Sequence, residues 1–475
     1  MKYLKKLIIY AVFILFQSCS YAYSCEIISP TFAIPSIVKK GNTLNIIFSA
    51  KQTALDFKAI LLTEHSKKPL LINSTKFEDN NWQINTTIPK DVPIELYDLK
   101  IECSECSDIE ERSIKIVEDY KDTFVFVHVT DTHIGVKGNE EVLAKVIEEI
   151  NLINPEFVLI TGDITSDCEN VGRALMLKEG KKVSPYYTEK YKDLPDEKIK
   201  GSCINKYKIF LELLLKLRVP TYVIPGNHDM CGIYCEPCKE FYEEMIGKRY
   251  YSFDYGSYHF IGCDNSDMME AAPIYYPNFK DELDDKQLIW LEEDLKKNLD
   301  KKLKFAFFHL PIYEKRCKFR ELLEKYNVDM ALAGHWHFDM IDNKGKPIWI
   351  LTTSITAPSQ VIGQQHRGYR IIKIKEGKIA SYSYYGEYSI PYNELNYEFE
   401  PANDGKNYEV ACRIKNELEQ GFDNAQLKFI MPKDADYEIM NGELIQEVVT
   451  KNFKLIYVNI NIPEEEEIEV IVRKR

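Results

Sequence analysis

At 475 residues, with 61 Lys and Arg against 74 Asp and Glu, the chain carries a formal charge of −13. That acidity argues against a protein that coats nucleic acid, which would show basic patches. The length exceeds one ordinary hydrophobic core, so two or three domains are expected. Acidity leaves a small phosphorylated substrate open, because a bound cation inverts the local field.

The chain opens on Met1-Lys2-Tyr3-Leu4-Lys5-Lys6, then an apolar run from Leu7 to Phe16, then Ser18-Cys19-Ser20. A basic head, a core of this length and a small-residue exit predict a secretory signal over residues 1–24, too short to span a membrane. Ser18-Cys19 also resembles a bacterial lipoprotein cleavage site, although Phe16 stands where such sites carry an aliphatic residue. Ala22-Tyr23-Ser24-Cys25 is a second candidate, and a lipid on Cys19 or Cys25 stays open. The expected location is secreted, periplasmic or cell-surface. Twelve cysteines in an exported chain favour disulfides over free thiols. Cys168 and Cys203 bracket one segment, Cys103 and Cys106 sit together, and Cys231, Cys235 and Cys238 cluster. Their pairing is not fixed by spacing, and zinc with Cys263 as a fourth ligand is the alternative.

From Cys25 to about Glu118, short alternating runs such as Thr43 to Phe48 and Trp82 to Asn85 are separated by turn residues. This texture predicts an Ig- or fibronectin-like β-sandwich over residues 25–118. From about 119 to 395, strands alternate with helix-length segments, the pattern of an α/β domain. Thr123 to Val127, Phe157 to Ile160, Thr221 to Ile224, Lys304 to Phe308 and Met330 to Ala333 read as strands. Glu141 to Leu152, Tyr207 to Leu217 and Gln287 to Leu299 read as helices. Residues 396–475 return to short strands and predict a small all-β unit, its Glu464–Glu467 run a solvated turn.

The chemistry gathers at the ends of the central strands. The first runs into Asp131-Thr132-His133, the second into Gly162-Asp163, the third into Gly226-Asn227-His228-Asp229. Later ones run into His309 and into Gly334-His335-Trp336-His337. Carboxylates and imidazoles suit Mn, Fe, Zn or Mg, and there are enough of them for two divalent ions. One Asp-x-His is weak evidence; five such pieces, each after an apolar strand, are strong.

In that order the motifs resemble the calcineurin-like metallophosphoesterase superfamily over roughly Thr123 to Tyr385. The resemblance implies an α/β (α+β) fold, a four-layer β-sandwich flanked by helices, with a dinuclear centre at the strand ends. It implies that Asp131, His133 and His337 hold one metal, Asn227, His309 and His335 the other, and that Asp163 bridges them. A metal-bridging hydroxide would attack phosphorus, while His228, oriented by Asp229, would protonate the leaving oxygen. Two departures matter. Purple acid phosphatases place a metal-bound Tyr three residues after the Gly-Asp aspartate, where this chain has Ser166. An insertion from about Thr165 to Cys203, with Tyr186, Tyr187 and Tyr191, is read as a lid over a surface elaboration.

Other residues have plainer readings. His128 in a central strand is a core histidine, and His259 in a hairpin is structural. Trp336 divides evenly between substrate stacking and packing. Arg367 is a candidate phosphate contact against a salt bridge. The expected activity is hydrolysis of a phosphate mono- or diester in a small-molecule or lipid substrate, with no nucleic-acid polymer as partner. The alternative is a cell-surface adhesion protein built on an inactive phosphoesterase domain.

Overall fold

The computed structural model describes residues 25–180, 188–230, 236–266, 283–312, 317–357 and 366–475. The expected signal segment, Cys19, Tyr186, Tyr187, Cys231 and Cys235 lie outside them.

The first eight strands are β1 (Glu26–Ser29), β2 (Ser36–Lys39), β3 (Thr43–Ser49), β4 (Lys58–Leu62), β5 (Lys67–Glu78), β6 (Asn81–Thr87), β7 (Leu96–Glu102) and β8 (Ser107–Val117). They form one hydrogen-bonded path, β1-β3-β6-β5-β4-β7-β8-β2. The long β5 makes the join: Lys67 to Leu70 pair with β4, and Leu71 to Glu78 pair with β6. A single core draws Ile46, Phe48 and Ile84 from one half and Leu61, Tyr97, Leu99 and Ile114 from the other. The sheet thus folds over its own core, in place of two separately paired sheets. Trp82 packs on Phe57 and Phe77 at its edge.

The central part begins with β9 (Phe124–Val129), α1 (Asn139–Ile153), β10 (Val158–Thr161), α2 (Cys168–Lys178), α3 (Asp196–Leu214) and β11 (Thr221–Ile224). Helix α1 starts after Gly138, carries Glu140 and Glu141 where the helix dipole favours acids, and stops at left-handed Asn154 before Pro155. Then come α4 (Glu236–Met245), β12 (Tyr251–Tyr255), β13 (Tyr258–Gly262), α5 (Asp285–Lys297), β14 (Leu303–Phe307), α6 (Lys318–Lys325), β15 (Met330–Ala333), β16 (Met340–Asp342), β17 (Ile348–Leu351), β18 (Gly368–Lys375), β19 (Lys378–Ser381) and β20 (Ile390–Pro391).

Two six-stranded sheets result. One runs β11-β10-β9-β18-β19, with β20 pairing β18; the other runs β12-β13-β14-β15-β17-β16. Successive residues of a strand face opposite ways. Phe126, Leu159, Tyr222 and Ile224 of the first sheet therefore meet Phe260, Phe305 and Phe307 of the second, while Val127, Val129, Ile160 and Val223 turn to α1, α2 and α3. Helices α5 and α6 pack on the second sheet through Leu288, Leu291, Phe319 and Leu323. Burying each such ring or branched side chain contributes roughly 1.5–3 kcal/mol.

The last part holds β21 (Leu395–Glu400), β22 (Glu409–Asn416), β23 (Phe422–Pro432), β24 (Tyr437–Met440), β25 (Glu443–Val449), β26 (Phe453–Ile462) and β27 (Glu467–Lys474), in sheets β21-β22-β27-β24 and β23-β26-β25. Its core, including Cys412, Phe429, Val458 and Val470, is continuous with the helical face of the central part. It also meets the first part directly. Ile94 N–H donates to Gln446 Oε1 at 3.1 Å, Gln446 Nε2 donates to Ile94 O at 2.9 Å, and the Tyr457 hydroxyl donates to Glu95. No helix among the described residues is long and apolar enough to cross a membrane.

Among the described residues two disulfides are present, Cys25–Cys106 and Cys168–Cys203. Cys263 is buried in the inter-sheet core and Cys238 in the helical one, so the structure does not place Cys263 beside Cys238 in one core.

Candidate metal centre

Strands β9, β10 and β11 are mutually parallel, as are β13, β14 and β15. Each sheet therefore delivers its polar strand ends to one edge, which is where open α/β sheets present chemistry. Three glycines let those ends converge. A Cβ on Gly162 would lie 2.4 Å from Gly226 N, one on Gly226 would lie 2.3 Å from Asp163 Oδ1, and one on Gly334 would lie 2.6 Å from Asp131 Oδ2.

Two donor groups result. Asp131, His133, Asp163 and His337 offer ligand atoms all within 4.8 Å of one another, as do Asp163, His309 and His335. Asp163 belongs to both. Asn227 joins the second, its Oδ1 standing 3.0 Å from His309 Nε2. Asp131, His133, Asp163, His335 and His337 all have positive φ, between 43° and 76°. Left-handed backbone at non-glycine residues carries strain that the surroundings must override, and it concentrates at functional sites.

The surroundings do override it. Asp131 Oδ2 accepts from Thr130 Oγ1 at 2.7 Å and His335 N at 3.0 Å. The Asp131 carbonyl accepts from Ser354 and Thr356 hydroxyls at 2.9 and 2.8 Å. His309 Nδ1 lies 2.7 Å from the Thr161 carbonyl, which fixes its tautomer and turns Nε2 towards Asp163 Oδ2 at 3.2 Å. Asn139 Nδ2 donates to the His133 carbonyl at 3.0 Å.

The donor chemistry fits cations. His133 Nε2 and His337 Nε2 face each other at 3.2 Å, with Asp131 Oδ1 3.2 Å from His337 Nε2. Burial pushes His133 down to about 4 and His335 to about 3, leaving both rings neutral with lone pairs to offer. Burial also opposes the charges of Asp131 and Asp163, but His337 beside the first and His309 and His228 beside the second hold both ionised. Burial opposes charge on His309 and His337 as well, but Asp163 pushes the first up to about 9 and Asp131 raises the second, so a divalent ion would take the place of their protons between the two carboxylates.

His228 sits alongside. Its backbone N–H donates to Asp163 Oδ1 at 2.8 Å, and its ring meets that of His133 edge-on at 5.0 Å between centroids. Burial works against an imidazolium there, but Asp163 and Glu169 outweigh it and raise His228 to about 10. The expected role of Asp229 is corrected. Its carboxylate accepts from the backbone of Gly226 at 2.9 Å, Ile164 at 3.1 Å and Thr165 at 3.0 Å, so it braces the two loops. The ring partner is Glu169, whose Oε1 lies 3.2 Å from His228 Nδ1. Glu169 belongs to the insertion and to no motif; its only mark in the sequence is an acid beside Cys168.

The remaining candidates divide. The Arg367 guanidinium donates to Tyr392 Oη at 2.8 Å and the Thr356 carbonyl at 3.3 Å, and lies over the Tyr392 ring. His128 is fully buried between Thr352 Oγ1 at 2.8 Å and Thr161 Oγ1 at 2.7 Å. His259 lies between Asp254 at 2.8 Å and Asp294 at 2.7 Å. Ser166 Oγ donates to the Ile134 carbonyl at 3.2 Å. Trp336 stands 43% exposed between the two left-handed histidines.

Residues 124–339 match the family model of calcineurin-like phosphoesterases. The "Probable glycerophosphodiester phosphodiesterase" of Arcobacter nitrofigilis is 28% identical over 238 residues, 45% of this chain and 71% of its own length. Purple acid phosphatase 23 of Arabidopsis thaliana is 30% identical over 208 residues, 39% of this chain and 41% of its own, so the chain spans less than half of that relative. A dimetal phosphatase from Danio rerio aligns at 14% identity and a TM-score of 0.37, over 53% of this chain and 93% of that one. Residues 124–339 of this chain form a calcineurin-like phosphoesterase domain.

Proposed function

We propose that the protein is an exported phosphoric ester hydrolase acting on a small-molecule or lipid phosphate mono- or diester with two divalent ions. The observation that carries this is Asp163, shared between two buried donor groups beside His228. Asp131, His133, Asp163 and His337 would hold one ion, and Asp163, Asn227, His309 and His335 the other. When bound, such a pair supplies Lewis acidity and ionises water near neutral pH.

The chain's own residues do the rest. Asn227 contributes a donor without adding negative charge, which eases the approach of an anionic ester. His228, held charged by Asp163 and Glu169, offers its Nε2 proton to the departing oxygen. Asp229 fixes the loop from which Asn227 and His228 project. Export is supported by the basic-apolar-small pattern of residues 1–24 and by the two disulfides, which persist in oxidising compartments. Within this reading residues 25–118 and 396–475 flank a catalytic unit of 119–395.

The test is hydrolysis of p-nitrophenyl phosphate against bis(p-nitrophenyl) phosphate by metal-depleted protein reloaded with Mn. Asp163→Asn serves as the blank, and the mass of the mature N-terminus reports export. Metal-dependent turnover of either ester, absent from the blank, is expected. Two bound metals with no turnover of any phosphoester would overturn the enzymatic reading; no bound metal would favour the surface-binding alternative.

A further inference from the structure

Glu169 is the second residue of α2, and Cys168 before it is covalently tied to Cys203 in α3. Two bonds join Glu169 to the candidate proton donor. Its backbone N–H donates to the His228 carbonyl at 3.2 Å, and its Oε1 accepts from His228 Nδ1 at 3.2 Å. The residue is 7% exposed, yet little else steadies its carboxylate: Oε1 also accepts from Asn170 Nδ2 at 2.9 Å, and Oε2 is buried without a hydrogen bond. Its place is therefore set by the first turn of α2. That turn has no side-chain cap, because the carboxylate of Asp167, at a φ of 93°, is engaged by Lys190, Tyr191 and Asn170. What fixes the turn covalently is the bond to Cys203.

We propose that the Cys168–Cys203 disulfide is a positioning clamp for His228, acting through Glu169. This rests on the reading of His228 as proton donor. A 3.2 Å bond fails on a shift of about 1 Å, and misplacement on that scale away from the reacting atoms is felt in the rate. The insertion thereby serves the proton-donor side of the site. Without the crosslink, non-covalent contacts alone hold Glu169 in register: its backbone bond to the His228 carbonyl and the bonds of Lys190, Tyr191 and Asn170 to Asp167.

The experiment has a spectroscopic arm and a kinetic arm. Selective 15N labelling of histidine reads the His228 Nδ1–H in protein that need not turn over anything. Its carboxylate-shifted signal should be present in wild type and in Cys25→Ala/Cys106→Ala. It should be lost in Glu169→Gln, in Cys168→Ala/Cys203→Ala, and in folded Cys25→Ala/Cys106→Ala reduced until thiol titration shows the buried Cys168–Cys203 bond open. In the kinetic arm, Glu169→Gln and the Cys168/Cys203 variant should each lose on the order of 10-fold or more in kcat for an alkyl phosphoester. Both should keep metal content and the p-nitrophenyl rate, and their combination should be no worse than either alone. An Nδ1–H signal unchanged without the disulfide overturns the clamp, as do equal losses for alkyl and aryl esters. If wild type hydrolyses no phosphoester, the proposed function fails, while the histidine signal still decides the clamp.

Discussion

Nη2 of Arg370 lies 2.6 Å from Oδ1 of Asp339, and neither side chain reaches solvent. Asp339 stands two residues after His337, and its carboxylate also accepts from Thr353 N at 3.1 Å and from Ser389 N and Oγ, each at 2.9 Å. The other Arg370 N–H groups reach the carbonyls of Leu351, Tyr382 and Glu387 and the Thr352 hydroxyl. The pair thus locks the loop carrying His337 to the strand opposite β9. Removing one member of a buried pair costs about 3–5 kcal/mol at most, and His366, its Nε2 2.7 Å from Asp339 Oδ2, keeps part of that charge compensated. Arg370→Met should lower unfolding stability in urea by up to that amount and weaken metal uptake.

Asp163→Asn removes the carboxylate shared by both donor groups. Metal content by elemental analysis after dialysis should fall below two per chain. Hydrolysis should fall more than about 100-fold, the scale at which loss of one preorganised electrostatic partner is felt. Near-normal turnover would remove Asp163 from the centre.

Gly226→Ala places a methyl 2.3 Å from Asp163 Oδ1 and 2.2 Å from Asp163 N, against backbone that cannot swing aside. Overpacking of this kind costs roughly 1–3 kcal/mol, and here it should also displace the shared carboxylate and lower metal content. Gly201→Ala is the control. Nothing lies within 4 Å of that Cβ, and the residue sits inside α3. Exchanging glycine for alanine in an open helical position should raise stability by about 0.5–1 kcal/mol.

Glu149 is fully buried on α1, its Oε1 accepting from Asn393 N at 2.6 Å and Leu395 N at 3.4 Å. Burial pushes its carboxyl from 4.5 up to about 7. The folded state then holds a proton that the unfolded chain releases near 4.5. Glu149 should therefore make stability fall as pH rises between about 4.5 and 7, by on the order of 3 kcal/mol. Glu149→Gln should flatten that slope and unfold later than wild type at pH 8, with little difference at pH 5. Parallel pH profiles for the two proteins would refute the assignment.

The legible part of the centre was the part written at strand ends. An apolar strand followed by Asp, His or Asn is a local pattern, and parallel pairing carries such ends to one edge whatever lies between. Asp229 looked like the partner of His228 because it is next in sequence. Adjacent residues rarely face each other in a tight turn, and its carboxylate went to three backbone amides nearby. Glu169 was invisible because its contact spans 59 positions and depends on how an insertion folds back. In the first sheet the alternation of each strand was legible. That β5 serves two neighbours in succession was not, because period-two patterning marks faces and not partners. The continuity of the last part's core with α1 was hidden likewise, since an apolar stripe does not name what covers it.

The hydrogen bonds between Ile94 and Gln446 bring together residues 352 positions apart and close the three-part chain into a ring. A row of beads comes apart when its string is cut; a ring does not. A protease nick between Val117 and Phe124 should leave both fragments co-migrating under native conditions, each holding the other at the high effective concentration that tethering through a third body provides. The first part then lends its stability to the central part from two sides.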